Sequence, residues 1–366
     1  MGFRKTVLFI LAILLTACSK DSVEQPDKTK NSLITFTISG FEEAPVITRA
    51  KVLSSIADLQ DTNTDIRVAA TYSTDPLVTY FDNVRLNYSS GKWVLANNYY
   101  WLPTQNLDFL ADIVSGNRSD FNAIASFNKP YTFTYSVPTD ITKQHDYIYA
   151  VKHNVSRAAY ENTSVPLEFK HALSQIIFTG SVAENWNVTI KSITIKNISK
   201  SGTFDYETGR WSGLDTQNNS YVFTLATPKV FNGQSQPEEL LASSSEPSER
   251  LVLMPQVLNP WTPKVGNNRI PITTADTDHL SYVEIECKIQ ERLNNNYIVG
   301  GTSAYGKIYA SLSGTWEPNK KYIYNLPFGA GYTNEGKKTI ELITLSATIV
   351  DWTAGNTYDN GQAKFD

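Results

Sequence analysis

The chain has 366 residues, a net charge of −4, two cysteines and four histidines. No block of like charge is present to follow a phosphate backbone, which argues against a nucleic-acid partner, and four histidines are too few for much metal or acid–base chemistry. With Tyr 20, Phe 16 and Trp 7 the composition favours strands.

Residues 1–17 read as a lipoprotein signal peptide. Arg4 and Lys5 give a positive start, and Val7 to Leu15 is apolar but too short to span a bilayer. Leu15-Thr16-Ala17-Cys18 then matches a lipobox, so Cys18 is expected to become the acylated mature N-terminus; the alternative is a plain secretory leader with a chance cysteine. Residues 18–31 are polar and charged, a flexible tether. No later stretch reaches the ~20 apolar residues of a membrane span. The roughly 330 residues that remain suit two domains, each able to bury a core.

Leu33 to Ala50 opens the body. Ile34, Phe36 and Ile38 alternate with Thr35, Thr37 and Ser39, which is the period of a strand with one buried face. Gly40 and Pro45 end it, and Thr48-Arg49-Ala50 follows. Two readings stay open at this point: an ordinary first strand and loop, or a removable strand with a protease site at Arg49–Ala50 behind it.

Lys51 to Asp65 is the helix candidate of the first half. Beyond it, strands are expected at Ile66–Tyr72, Val84–Tyr88, Lys92–Leu95, Leu107–Ala111, Tyr131–Val137 and Tyr147–Val151, with a hairpin turn at Ser89-Ser90-Gly91. The chain reads as restarting near Val165-Pro166, which divides it into residues 32–165 and 166–366. Strands follow at Gln175–Gly180, Val188–Ile198, Val222–Leu225, Leu251–Met254, Tyr282–Ile289, Lys307–Leu312 and Lys321–Leu326. Gly209-Arg210-Trp211 echoes Gly91-Lys92-Trp93, and Asn232 to Arg250 reads as an exposed loop. The whole is an all-β chain of two antiparallel β-sandwich domains. It closes on Thr339 to Trp352, where Ile343, Leu345, Ala347 and Ile349 share one strand face.

No catalytic constellation, cofactor fingerprint or metal set emerges, so the chain reads as a non-enzyme. His145 and His153 stand apart from any cysteine. Asp61 to Asp65 has the opening spacing of a calcium loop but lacks its glycine and closing glutamate. Glu284 and Glu286 share a strand face as solvent-facing groups rather than a glycosidase pair. Trp93, Trp101 and Trp211 are core or turn anchors, with sugar stacking as the alternative, and Cys287 is a buried hydrophobe.

The order of motifs is more specific than any one of them. The lipobox and Thr48-Arg49-Ala50 are followed by Gly91-Lys92-Trp93, Tyr99-Tyr100-Trp101-Leu102-Pro103, Phe169 to Ser174 and Gly202-Thr203-Phe204-Asp205. Leu253-Met254-Pro255-Gln256, Trp316 to Tyr324 and Val350-Asp351-Trp352 complete the series. Together they resemble the fimbrillin family of Bacteroidales, lipoprotein precursors of type V pili. The resemblance implies two transthyretin-like β-sandwich domains and no cofactor. It implies an outer membrane lipoprotein held through lipid, such as palmitate, on Cys18, and cleavage after Arg49 by a trypsin-like, Arg-specific protease. By the same resemblance, Leu33 to Phe41 is the strand lost and Ile340 to Trp352 the donor strand, with other fimbrial subunits and a host or bacterial surface receptor as partners. Two further roles fit the same residues: a lipid-retaining anchor subunit, and a surface lipoprotein that binds glycans without polymerising.

Overall fold

The computed structural model describes residues 32–40, 59, 64–115, 131–233, 237–240, 251–265, 268–328, 347–351, 358–359 and 362–363. The strands of the first half are β1 (Thr35–Ser39), β2 (Thr64–Tyr72), β3 (Asp75–Ser89), β4 (Lys92–Leu95), β5 (Leu107–Ser115), β6 (Thr132–Ser136), β7 (Tyr147–Val155), β8 (Val165–Glu168) and β9 (Lys170–His171). All except β6 lie in one sheet of order β8-β1-β4-β3-β2-β5-β7-β9. The long β3 folds this sheet over itself: its first part pairs with β2 up to Arg85, and its last part pairs with β4 from Leu86. The β8-β1-β4 layer therefore faces β2, β5 and β7 across a shared core that includes Phe36, Phe109, Val68 and Ile148. The expected hairpin turn forms at Ser90 and Gly91, both at positive φ (51° and 79°), the conformation that joins twisted strands in two residues.

The second half continues with β10 (Ser174–Val182), β11 (Trp186–Ile198), β12 (Ser201–Asp205), β13 (Arg210–Ser212), β14 (Asn219–Asn232), β15 (Glu238–Glu239), β16 (Leu251–Leu253) and β17 (Gln256–Val257). After the short β18 (Lys264–Val265) and β19 (Asn268–Arg269) comes a helix, Ile272–Thr277, that the apolar spacing does not announce. The chain then runs through β20 (Tyr282–Glu291), β21 (Tyr297–Val299), β22 (Gly306–Ser311), β23 (Thr315–Trp316), β24 (Lys320–Phe328) and β25 (Ala347–Asp351). One sheet has the order β15-β10-β24-β25, with β16 also on β10, and the other β14-β11-β20-β21, with β22 also on β20. Their facing side chains, Phe178, Ile193, Ile285 and Tyr324 among them, form the second core.

The fold is all-β, as expected, but two ladders depart from an antiparallel plan. β1 runs parallel to β8, and β10 runs parallel to β24. These two pairs expose a common design. In each half the first strand lies between a late strand, β8 or β24, parallel, and an antiparallel neighbour, β4 or β16. The opposite layers read β3-β2-β5-β7 and β14-β11-β20-β22, so the strands correspond in chain order. The Gly-x-Trp echo falls outside this correspondence: Trp93 lies on β4, whereas Trp211 lies on β13, inserted between the equivalents of β2 and β3.

The first sheet runs on past residue 165, because Val165, Leu167 and Phe169 alternate into the first core and Lys170–His171 pairs with β7. β6, from the first half of the sequence, pairs instead with β12 from the second. The small β13-β12-β6 sheet packs on the outer face of β5 and β7, where Phe133 meets Tyr147 and Phe204 meets Tyr149. Residues 238–240, expected in an exposed loop, are anchored: Glu238–Glu239 pairs with β10, and Leu240 is buried. Of the helix expected over Lys51 to Asp65, Leu59 is helical and buried while Thr64 and Asp65 already belong to β2.

Candidate functional site: the slot of the first strand

β1 is held along both edges. It pairs antiparallel with β4 through Thr35↔Val94 and Phe36↔Trp93, and parallel with β8 from Phe36↔Val165 to Ser39↔Glu168. At its entry the Ile34 amide donates to the Tyr99 carbonyl (2.9 Å), and the Trp101 amide to the Ser32 carbonyl (3.1 Å). The hydroxyls of Thr35 and Ser164 lie 2.8 Å apart. At its exit the Phe169 amide donates to the Ser39 carbonyl (2.9 Å).

Ile34, Phe36 and Ile38 point into the core and are buried, while Thr37 and Ser39 are exposed, as the alternation predicts. Burying three such side chains contributes about 5–9 kcal/mol in gross transfer free energy. An empty slot would return that apolar surface to water together with the facing ladder groups of β4 and β8. Several motifs singled out in the sequence surround this strand. Trp93 sits opposite Phe36, Tyr99 to Trp101 clamps the entry, and Phe169 closes the exit. Their spacing alone carries no sign of this convergence.

β25 is placed differently. It pairs with β24 from Tyr324↔Ala347 to Lys320↔Asp351, with an ion pair between Lys320 and Asp351. Among the described residues no strand pairs with its other edge. Ala347 packs against the second core, but Ile349 is 56% exposed. Cys18, Arg49, Ala50, Ile343 and Leu345 lie outside the described residues.

The remaining candidates have structural partners. Trp93 and Trp101 are buried, and the half-buried Trp211 packs on Phe133 and Phe204 while its indole N–H donates to the Ala172 carbonyl (2.5 Å). These rings offer no open platform to a sugar. Lys191 and Ser192 bond to Glu286, and that lysine contact holds the carboxyl below its usual range; Lys307 pairs with Glu284. Burial pushes the Cys287 thiol up to about 12. His171 is buried against Asp146 (2.6 Å) where the two halves of the chain meet, its amide donating to Asn319 (3.0 Å). His153 spends both ring nitrogens on carboxylates, Asp108 at 3.2 Å and Glu207 at 3.0 Å, which ties β5 to the β12–β13 turn. Among the described residues no cluster could hold a metal ion, and no helix is long and apolar enough to cross a membrane.

The site is made of strand pairing, and the sequence comparison says in which kind of protein it lies. Residues 48–352 match the fimbrillin-like family. The chain belongs to that family. Its members are fimbrial subunits rather than enzymes, and membership puts this fimbrillin-like chain among the components of a cell-surface fimbrium. No curated protein sequence matches it. Similar solved structures include a candidate cell adhesion protein from Bacteroides ovatus, 16% identical, covering 88% of this chain and 98% of that one with a TM-score of 0.43. Another candidate cell adhesion protein, from Parabacteroides distasonis, is 11% identical over 88% of this chain and 97% of its own, with a TM-score of 0.45. A fimbrial assembly protein from Parabacteroides distasonis is 7% identical over 87% and 99%, with a TM-score of 0.38.

Proposed function

We propose that this chain is a structural and adhesive subunit of a type V pilus that assembles by exchange of its first strand. The precursor travels as an outer membrane lipoprotein through Cys18. An Arg-specific, trypsin-like protease cuts after Arg49, β1 leaves, and the C-terminal strand of another subunit takes its place. The observation that carries this reading is the asymmetry between β1 and β25. β1 is an inner strand whose three core-facing residues fill a slot with paired edges on both sides. Among the described residues β25 hangs on one ladder, with Ala347 half-buried and Ile349 exposed, so this pairing costs less to detach.

Before cleavage β1 has the advantage of being intramolecular, with an effective concentration in the mM range for a short tether. Cutting the tether removes that advantage, and a strand from a neighbour competes on contacts alone. Each contact so made is head-to-tail and does not close, which builds a fibre.

The test is to treat wild type and Arg49→Ala with a trypsin-like protease and follow assembly by gel under mild denaturant. Wild type should give ladders and the variant a monomer. Ladders from Arg49→Ala equal to wild type, or a wild type that stays monomeric after confirmed cleavage there, would overturn the mechanism.

A further inference from the structure

Gly40, the residue after β1, has φ +99°, and a Cβ built on it would overlap the Phe169 carbonyl oxygen and lie 3.0 Å from the Phe169 amide nitrogen. Both obstacles are backbone, so no side-chain rotation relieves them, and the positive φ adds strain for any other residue. Phe169 has little room to retreat. Its side chain is buried in the first core, and its amide bonds to Ser39. The next two residues pair with Tyr149 and Ile148, and His171 is fixed by Asp146 and Asn319.

We propose that the Gly40–Phe169 contact is the depth stop of the slot: a strand lying there runs past Phe169 only with glycine at the Gly40 position, and any other strand turns out after the position of Ser39. This specificity rests on the reading of β1 as a replaceable strand. The donor segment of a second copy, Ile340 to Trp352, contains no glycine. With Ile343, Leu345 and Ala347 in the places of Ile34, Phe36 and Ile38, Ile349 meets Phe169; with Leu345, Ala347 and Ile349 there, Asp351 does. Either register gives a donor that sits shallower than the strand it replaces, so the resident strand is the better fit and leaves only when its tether is cut.

Two measurements test this. Hydrogen exchange on the full precursor should show the Leu33–Ser39 amides of Gly40→Ala exchanging about ten-fold faster or more than in wild type, with β10 and β11 unchanged; equal protection overturns the proposal. Precursor nicked after Arg49 is then challenged with synthetic peptides. A Ser32–Gly40 peptide should displace the nicked fragment about ten-fold better than its Gly40→Ala version. A 340–352 peptide carrying Asp351→Gly should gain over the unaltered one. Equal displacement within both pairs overturns the depth stop. If no peptide displaces the fragment, strand replacement itself falls, while the exchange data on the precursor still decide the role of Gly40. The peptide arm also stands if Gly40→Ala fails to fold.

Discussion

Phe36 on β1 stands edge-on to Phe109 on β5, with ring centroids 5.3 Å apart and planes 86° apart. These strands are not sheet neighbours, so the contact crosses the core and measures how firmly β1 is seated. Phe36→Ala should lower the unfolding free energy of the precursor by about 3–5 kcal/mol. Thr37→Ala, on the exposed side of the same strand, should stay within about 0.5 kcal/mol. Denaturant melts of the two variants check this, and equal losses would mean that β1 is not a core strand.

Acid should loosen the tie between β5 and the β12–β13 turn. Burial works to raise the Asp108 carboxyl, but the Asn154 amide, the Ser73 hydroxyl and His153 outweigh it and hold it below its ordinary value. A carboxylate depressed on folding contributes stability above its unfolded pKa of about 4 and loses it as pH falls through the folded value. Asp108→Asn should therefore lower Tm near neutral pH, and the gap from wild type should close on acidification below that range. A gap that keeps its size to the lowest pH that still gives folded protein contradicts the assignment.

The proposed lipid attachment rests on one residue. Cys18→Ala should abolish palmitate labelling and leave the precursor unprocessed or mislocalised. Labelling at the wild-type level would remove the lipoprotein step.

Deleting residues 340–366 should separate donating from accepting. The shortened chain keeps β1 and its slot, so after cleavage it should accept a strand but offer none. Added to wild type, it should shorten polymers in proportion to its share, as read by ladder length. Undiminished polymers would place the donor elsewhere.

Trp93 and Trp211 divide a structural role from sugar binding. Trp93 is buried between β1 and β3, and Trp93→Ala should cost about 3–5 kcal/mol. Trp211→Phe keeps most of the packing but loses the bond to Ala172, a loss of about 1 kcal/mol. Stable variants that lose binding on a glycan array would reverse the reading.

Local patterns were legible where one face of a strand is buried. The alternation in Ile34, Phe36 and Ile38 and the long β-branched run of β11 both formed as strands. The first part of β3 was missed because Leu77, Val78 and Thr79 face solvent and leave no alternation to read. Glu238–Leu240 hid in a polar stretch because its fixing contacts come from β10, far away in sequence. The parallel partners of β1 and β10 and the docking of β6 on β12 are likewise non-local, and strand patterns do not name partners. The candidate site divides the same way: its core-facing residues were evident, whereas the clamp at Tyr99 to Trp101 and the stop at Phe169 depend on tertiary approach.

Pairing the first strand of each half with a late one also sets a timetable. Thr35 meets Ser164 across 129 residues, and Thr179 meets Asn325 across 146. A chain emerging from its amino end during export cannot close the first sandwich until β8 has been delivered, so β1 waits with an unpaired edge and an apolar face for most of that interval. Contacts this distant make folding slow and leave exposed edges open to association. The parallel ladder that holds β1 on its second edge in the finished protein is thus the contact the newborn strand goes longest without.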